Sequence, residues 1–347
     1  MEIRFYNAQM MLQGVMEDQR SLIWTRKYFE PGNFELHAPI TDSNLRLTKR
    51  GNLIWLKGYQ EAGVIEDRTI SESSSAREIT AKGRFLSSYM DRRLIKSTVN
   101  YSGTVEDAMR QLLAGVTAIP LVELGSRNGF PETVSFQATY KNLLTYENKL
   151  AMASGIGFRF RPDFTGKRIF FETYKGADRT ISQRTNSRVI FSEEYDNLNS
   201  VTYRENDQLY KTVAYVGGEG EGSERVYVQV GSGSGLELRE VFVDAKDLRS
   251  EDLTAEEYTA QLTQRGLDTL AEDIISEAFD CETAPGMNFS YRSDYDLGDI
   301  VTVRKESWGM QANLRITELQ EVYEHEIMTV VPTLGSALPE TIDWSDE

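Results

Sequence analysis

Hydrophobic and polar residues alternate along most of this chain, which is the pattern of β-strands with one buried face. The alternation is clearest in residues 290–303 and 314–323, and the sequence Asp296-Leu297-Gly298-Asp299 provides a turn between predicted strands. Similar short segments, interrupted by glycines, fill residues 1–100. Both ends of the chain are therefore predicted to be β-rich, and closure into a barrel would hide the edge strands.

The pattern changes to a helical period near residue 104. The segment from Thr104 to Asp107 can cap a helix whose apolar face runs to Val116, and a second helix is predicted over Leu143–Ala153. Alternation then returns in residues 158–162 and 169–174, which predicts a hairpin. These elements indicate a smaller α+β domain over residues 101–185.

Strands return after residue 186, and two glycine-rich segments, residues 217–223 and 231–235, are interpreted as hairpin loops. A capping box beginning at Thr254 predicts a long helix near residues 255–279. The predicted fold class is thus α+β and β-rich. Two barrel-like β domains, residues 1–100 and 186–347, flank the α+β domain.

Size and composition limit the class of protein. The chain has 347 residues, of which 40% are hydrophobic, so a substantial core is expected. Its apolar runs fall short of the roughly 18 residues that a membrane span needs. The N-terminus lacks a basic region followed by an apolar block, which predicts maturation in a cytoplasm. Cys281 is the only cysteine, so no internal disulfide can form.

Charge argues against nucleic-acid binding. The chain carries 38 basic and 54 acidic side chains, a net charge of −16, and the summed field repels phosphate groups. Sequence-specific binding to nucleic acid is therefore not expected, and neither is attraction to an anionic membrane surface.

Motifs of catalysis and cofactor binding are missing from the sequence. His37 and His325 stand far apart and outside any metal-ligand motif, and Gly166-Lys167 is followed by Arg168 instead of serine or threonine. Asp294, Asp296 and Asp299 depart from a calcium-binding loop, and a turn with solvated carboxylates is the better interpretation. No catalytic, cofactor-binding or metal-ligating residue is predicted, and no cofactor.

Paired carboxylates leave an alternative function open. Glycoside hydrolysis needs two acids at a suitable separation, and sequence does not reveal separation. Glu193, Glu194 and Asp196 form the densest acidic cluster beside aromatic residues. The alternative to a non-enzymatic protein is therefore a cell-wall glycoside hydrolase or a carbohydrate-binding protein.

Four segments carry a resemblance to a known family. They are residues 24–36, residues 195–203 leading into the first glycine-rich loop, the helix near 255–279 with Arg265-Gly266, and residues 296–299. With these segments the chain resembles the Gp37-like tail proteins of siphoviruses and prophages, which are similar to tail-tip or baseplate hub proteins. The resemblance covers nearly the whole chain.

The resemblance implies a structural protein of the virion tail, assembled in the cytoplasm of the bacterial host. It implies a homotrimer in the assembled tail that joins the tail tube to distal tail proteins, a fibre or a lysin. Because the chain ends at Glu347, no appended hydrolase domain is expected. We also expect acidic residues to line the central passage, so that DNA passes through the ring without adhering.

Overall fold

The computed structural model describes residues 1–73, 77–251, 253–272, 276–283, 289–324 and 327–335. Strands dominate this part of the chain, and helices are few. The helices are α1 Asp42–Leu47, α2 Val105–Gly115, α3 Leu143–Ser154 and α4 Ala255–Glu272. The strands are β1 Ile3–Tyr6, β2 Leu12–Met16, β3 Ser21–Lys27, β4 Asn33–Ala38, β5 Leu53–Leu56, β6 Ala62–Glu72, β7 Arg77–Phe85, β8 Leu94–Ile95, β9 Val99–Thr104, β10 Val122–Leu124, β11 Thr133–Ala138, β12 Lys141–Asn142, β13 Gly157–Asp163, β14 Arg168–Tyr174, β15 Ile190–Ser192, β16 Leu198–Asn206, β17 Val213–Gly217, β18 Tyr227–Gly231, β19 Glu240–Asp244, β20 Ser276–Thr283, β21 Ile300–Lys305, β22 Met310–Glu324 and β23 Ile327–Gly335. The β-rich α+β class is confirmed.

One large sheet joins the two ends of the chain. Its strand order is β16-β20-β23-β22-β3-β4-β7-β6-β5-β1-β2, and β21 with β15 extends from β22. The central pair is β3 with β22, in antiparallel register that places Trp24 opposite Glu321. Among the described strands β2 and β16 end this order, so the two-barrel layout and the three domain boundaries stay predictions.

The middle of the chain forms the helices that its sequence predicts. Helix α2 begins after Thr104, whose hydroxyl accepts a hydrogen bond from the Asp107 amide at 3.3 Å. Helix α3 ends at Gly155, which adopts φ +69°, the left-handed conformation typical of a glycine that follows a helix. Strands β13 and β14 form the predicted hairpin. One core cluster connects these elements to the N-terminal strands through residues such as Leu53 and Phe158.

The predicted length of the last helix is wrong. Helix α4 begins as expected, because Thr254 and Glu257 exchange hydrogen bonds of 2.8 and 3.2 Å between side chain and backbone. It ends at Glu272, however, and residues 276–283 form β20 instead. Apolar residues four positions apart fit a strand as well as a helix, and here pairing of β20 with β16 and β23 decides the outcome.

Two further predictions need correction. Residues 290–295 do not form a regular strand: Tyr291 and Tyr295 make an isolated bridge, and Arg292 between them has φ +68°. The glycine-rich segment 217–223 does close a hairpin between β17 and β18. The segment 231–235 does not, because it leads to β19, which pairs in parallel with β17 instead of with β18.

No helix in the described ranges has the length and apolar character that crossing a membrane requires.

Candidate functional site

A buried ionic network lies where β3, near the start of the chain, pairs with β22, near its end. Arg26 of β3 is at its centre and is only 3% exposed. Arg26 comes two positions after the buried Trp24 and four after the buried Leu22. Alternate residues of a strand share one face, so the Arg26 side chain also points into the core. Its guanidinium donates to Glu61 at 3.0 Å and to Asp296 at 2.5 Å, which ties residues from both ends of the chain together.

These acidic partners keep Arg26 charged. Burial alone would lower the pKa of this guanidinium, but the Glu61 carboxylate and its other network neighbours hold the pKa well above its usual value. Arg26 also donates to the hydroxyl of Tyr291 at 3.0 Å. The second oxygen of Glu61, Oε2, is buried without a hydrogen-bond partner among the described residues.

Glu321 forms the other half of the network and is fully buried on β22. The hydroxyls of Tyr291 and Tyr323 donate to it at 2.6 and 2.5 Å, and the hydroxyl of Tyr59 also donates to it. Arg292 lies 3.9 Å from the carboxylate, with its guanidinium carbon 3.4 Å from the centre of the Tyr59 ring. Such charge-assisted bonds are strong when they are shielded from water.

The network raises the pKa values of its tyrosines, which keeps their hydroxyls protonated. Burial raises the pKa values of Tyr59 and Tyr323 far above that of a free tyrosine, and the Glu321 carboxylate raises them further. These hydroxyls therefore stay protonated and keep donating to Glu321 over the physiological range. Because the carboxylate is fully buried, it is closed to a substrate, and the arrangement serves to hold residues 291–296 against the sheet.

The acidic cluster that favoured a hydrolase does not form a paired-acid site. Glu193 accepts hydrogen bonds from Lys305 and, at 2.9 Å, from Ser307, and the bond from Lys305 lowers the pKa of Glu193. A general acid in glycoside hydrolysis needs a raised pKa. Glu194 and Asp196 are exposed in the same turn, where Asp196 has φ +51°.

The three aspartates considered for calcium bind protein groups instead. Asp294 accepts from the Ser290 amide at 2.6 Å, and Asp296 accepts from Arg26. Asp299 is nearly buried and accepts from Ala177 and Arg179, both at 2.6 Å. Within the described ranges no three His, Cys, Asp or Glu side chains gather as a metal site.

Most of the described histidine and tryptophan side chains make contacts within the fold. His37 contacts Glu35 of its own strand at 2.9 Å and Glu78 of the neighbouring strand β7 at 3.1 Å. Trp24 is fully buried, Trp55 donates to a backbone carbonyl at 2.8 Å, and Trp308 is half exposed. His325 and Trp344 lie outside the described residues.

The family profile for "Siphovirus ReqiPepy6 Gp37-like protein" matches residues 2–336. The chain belongs to this family. Its fold is similar to the tail protein from Neisseria meningitidis MC58, with 14% identity, 96% of both chains covered and a TM-score of 0.58. It is also similar to prophage tail protein gp18 from Listeria monocytogenes EGD-e, with 13% identity, 97% and 95% covered and a TM-score of 0.58.

A third similar structure is the 43 kDa tail protein of prophage MuSo2 from Shewanella oneidensis, with 14% identity, 96% and 98% covered and a TM-score of 0.59. The comparison with curated proteins gives no match. The resemblance read from the sequence segments is therefore confirmed, and this Gp37-like protein shares the tail-protein fold along almost its entire length.

The motif at residues 296–299 has a packing role in the Gp37-like chain. Gly298 adopts φ +92° and lies against the buried ring of Tyr28, where an added Cβ would approach ring carbon Cε2 to 2.3 Å. Tyr28 in turn donates to the carbonyls of Gly155 at 3.0 Å and Tyr174 at 3.1 Å. The turn therefore joins the C-terminal strands to the middle of the chain.

Replacing Gly298 by alanine is expected to lower the free energy of unfolding by about 2–4 kcal/mol, because backbone strain and a steric clash both contribute. Gly309 is the matched control, since it has φ +66° and open space around its Cβ position. Gly309→Ala should cost only about 1 kcal/mol, the cost of strain alone. Urea denaturation measures both, and equal losses would contradict the assigned role.

Proposed function

We propose that this Gp37-like protein is a structural component of the tail-tip or baseplate hub, where it joins the tail tube to distal tail proteins. It acts through protein contacts and has no catalytic cycle. In the assembled tail it forms a homotrimer, and each copy contributes two barrel-like domains to a ring. DNA passes through the ring without sequence-specific binding.

The main support is the fold of known tail proteins over 96–97% of the chain, together with membership of a phage family. The arrangement of acidic groups agrees with a structural role. Glu61, Glu321 and Asp299 are buried and used in hydrogen bonds that join distant segments, and Glu193 is held in a surface ion pair.

Immunogold labelling of particles from a strain that encodes the chain tests the proposal. A chain tagged after its last residue should copurify with particles, and the gold should lie at the distal end of the tail. Particles from a strain without the tagged gene provide the control. Absence of the chain from purified particles, or labelling of the head, would overturn the proposed function.

A further inference from the structure

Charge is divided unevenly along the chain. Residues 77–190 contain 18 basic and 10 acidic side chains, a net charge of +8. Residues 191–347 contain 11 basic and 34 acidic side chains, a net charge of −23. Within that acidic part, residues 207–272 carry 14 acidic and 6 basic side chains. The small unit formed by β17, β18, β19 and α4 therefore carries a net charge of −8.

This unit exposes an aromatic face, which we define as Tyr215, Tyr227 and Phe242 on the outer side of the sheet β18-β17-β19. Their exposed fractions are 36%, 57% and 55%. The opposite side of the sheet, with Ala214 and Val216, packs in one core cluster with α4. Large aromatic side chains exposed together on a flat sheet are a common mark of an interaction surface.

Arg225 is fixed between the rings of this face. It donates to the carbonyls of Gly217 at 2.7 Å and Gly218 at 2.9 Å, and to Asp244 at 2.5 Å. Its guanidinium carbon lies 5.6 Å from the centre of the Tyr227 ring and 5.4 Å from that of Phe242. The Arg225 side chain is only 10% exposed, so this row of ring, guanidinium and ring exposes mainly the two rings and needs little further ordering before it binds a partner.

Gly217 makes this row possible. A Cβ at position 217 would lie 2.7 Å from the guanidinium carbon of Arg225, so any larger residue would push the guanidinium off the strand. Tyrosine, exposed here at two positions, is among the residues most enriched in the energetic hot spots of protein interfaces. Aromatic faces also attract cations, and the carboxylate of Glu240 adds negative charge at the opposite end of β19.

The aromatic face points away from the chain's own basic region. Helix α4 covers the inner side of the small sheet and contacts α3 and β11, which belong to residues 77–190. Gln137 of β11 also accepts a hydrogen bond from the Arg249 amide at 3.0 Å. Since the outer side of the sheet faces the other way, a positive complement for it has to come from another molecule.

A second copy of the same chain carries a positive region of this kind, residues 77–190. Arg184 and Arg188 are exposed in the basic region, and neither forms an ion pair with any described residue. We propose that the aromatic face of one copy docks on the basic region, residues 77–190, of a second copy. A head-to-tail contact of this kind uses two different surfaces and closes into a ring when the rotation between copies allows it. The proposal rests on the proposed hub function, which requires a ring.

Sedimentation of the full chain over a range of concentrations tests whether the face mediates self-association. The double variant Tyr227→Ala/Phe242→Ala should weaken association by about tenfold or more, as expected for two hot-spot residues. Trp308→Ala is the matched control, because Trp308 is also aromatic and 48% exposed but lies outside the face. Raising salt from about 0.05 M to about 0.5 M should also weaken association.

Glu240→Arg is a second variant for the case in which the double variant misfolds. Glu240 is exposed at the surface, and reversing its charge should also weaken association. A photo-crosslinking residue at position 242 then identifies the occupant, in a mixture of isotopically labelled and unlabelled chains. Cross-links between copies should map to residues 77–190. A chain that stays monomeric at every concentration, association unchanged in the variants, or cross-links elsewhere would each overturn the proposal.

The same cross-linking in purified particles separates this proposal from the hub function. If the chain is absent from particles, the hub function fails. If it is present and position 242 cross-links to a different protein, the hub function stands and the self-docking contact is wrong.

Discussion

Replacing Arg26 by methionine is expected to lower the free energy of unfolding by about 3–5 kcal/mol. Methionine keeps much of the side-chain length but removes the charge, which leaves the buried carboxylate of Glu61 without its counter-ion. The loss should exceed that for an ordinary core substitution, because Asp296 and Tyr291 lose the same partner. Burial of an uncompensated charge is among the most costly single changes in a protein.

Urea denaturation followed by tryptophan fluorescence measures this loss, and Arg20→Met provides the matched control. Arg20 pairs with Glu78 at 2.9 Å, but its side chain is 49% exposed. An exposed ion pair contributes about 0–1 kcal/mol, so the control should unfold almost as the natural chain does. Similar small losses for both variants would mean that Arg26 does not hold the two ends of the chain together.

Replacing Glu147 by methionine is expected to have the opposite effect and to raise the free energy of unfolding by about 1–3 kcal/mol at pH 7. Glu147 lies on α3 with no exposed surface, and within the part of the chain that the structure describes neither carboxyl oxygen has a hydrogen-bond partner. Methionine has a similar length and no polar group to bury. A decrease in stability would contradict the burial of an unsatisfied carboxyl group at this position.

The pH dependence of the free energy of unfolding gives a separate test, in which the variant Glu147→Gln is compared with the natural chain. Burial raises the pKa of Glu147 well above its usual value, so the folded chain keeps a proton that the unfolded chain releases above about pH 4.5. The natural chain therefore loses stability as pH rises from that point towards the folded pKa. Glutamine cannot ionise, and the difference in unfolding free energy between variant and natural chain should grow with pH over this range.

Glu106 is the control for this pH effect, because it is buried like Glu147 but its carboxylate has hydrogen-bond donors around it. Its carboxylate accepts hydrogen bonds from the amides of Asn128 and Gly129 and from the Thr173 hydroxyl. Burial alone would raise its pKa, but these donors lower it. Its contribution is present above the unfolded pKa and is lost as pH falls through the lower folded pKa. Glu106→Gln should therefore destabilise the chain at pH 7.

Local signals in the sequence predicted many of the elements. The capping residues Thr104 and Thr254 set the starts of two helices, and Gly155 set the end of another. These positions are determined by nearby backbone groups, so a single sequence contains the information. The end of α4 is different, because pairing of residues 276–283 with distant strands overrides the local helical pattern.

The buried network escaped prediction for a related reason. Arg26 and Glu321 each occupy the apolar face of a predicted strand, which is a signal that a charged residue enters the core. The sequence does not reveal that two other segments, one with Glu61 and one with Tyr291 and Asp296, come to meet them. Their contact depends on the pairing of β3 with β22, two strands that lie nearly 300 residues apart in the sequence. Only the folded chain brings these groups together.

Cryo-electron microscopy of the distal tail end tests the central claim most directly. We predict three copies of this chain in a closed ring that continues the tail tube, with strands of the first and last regions around the passage. A reconstruction whose tail tip contains no density for this chain would contradict it.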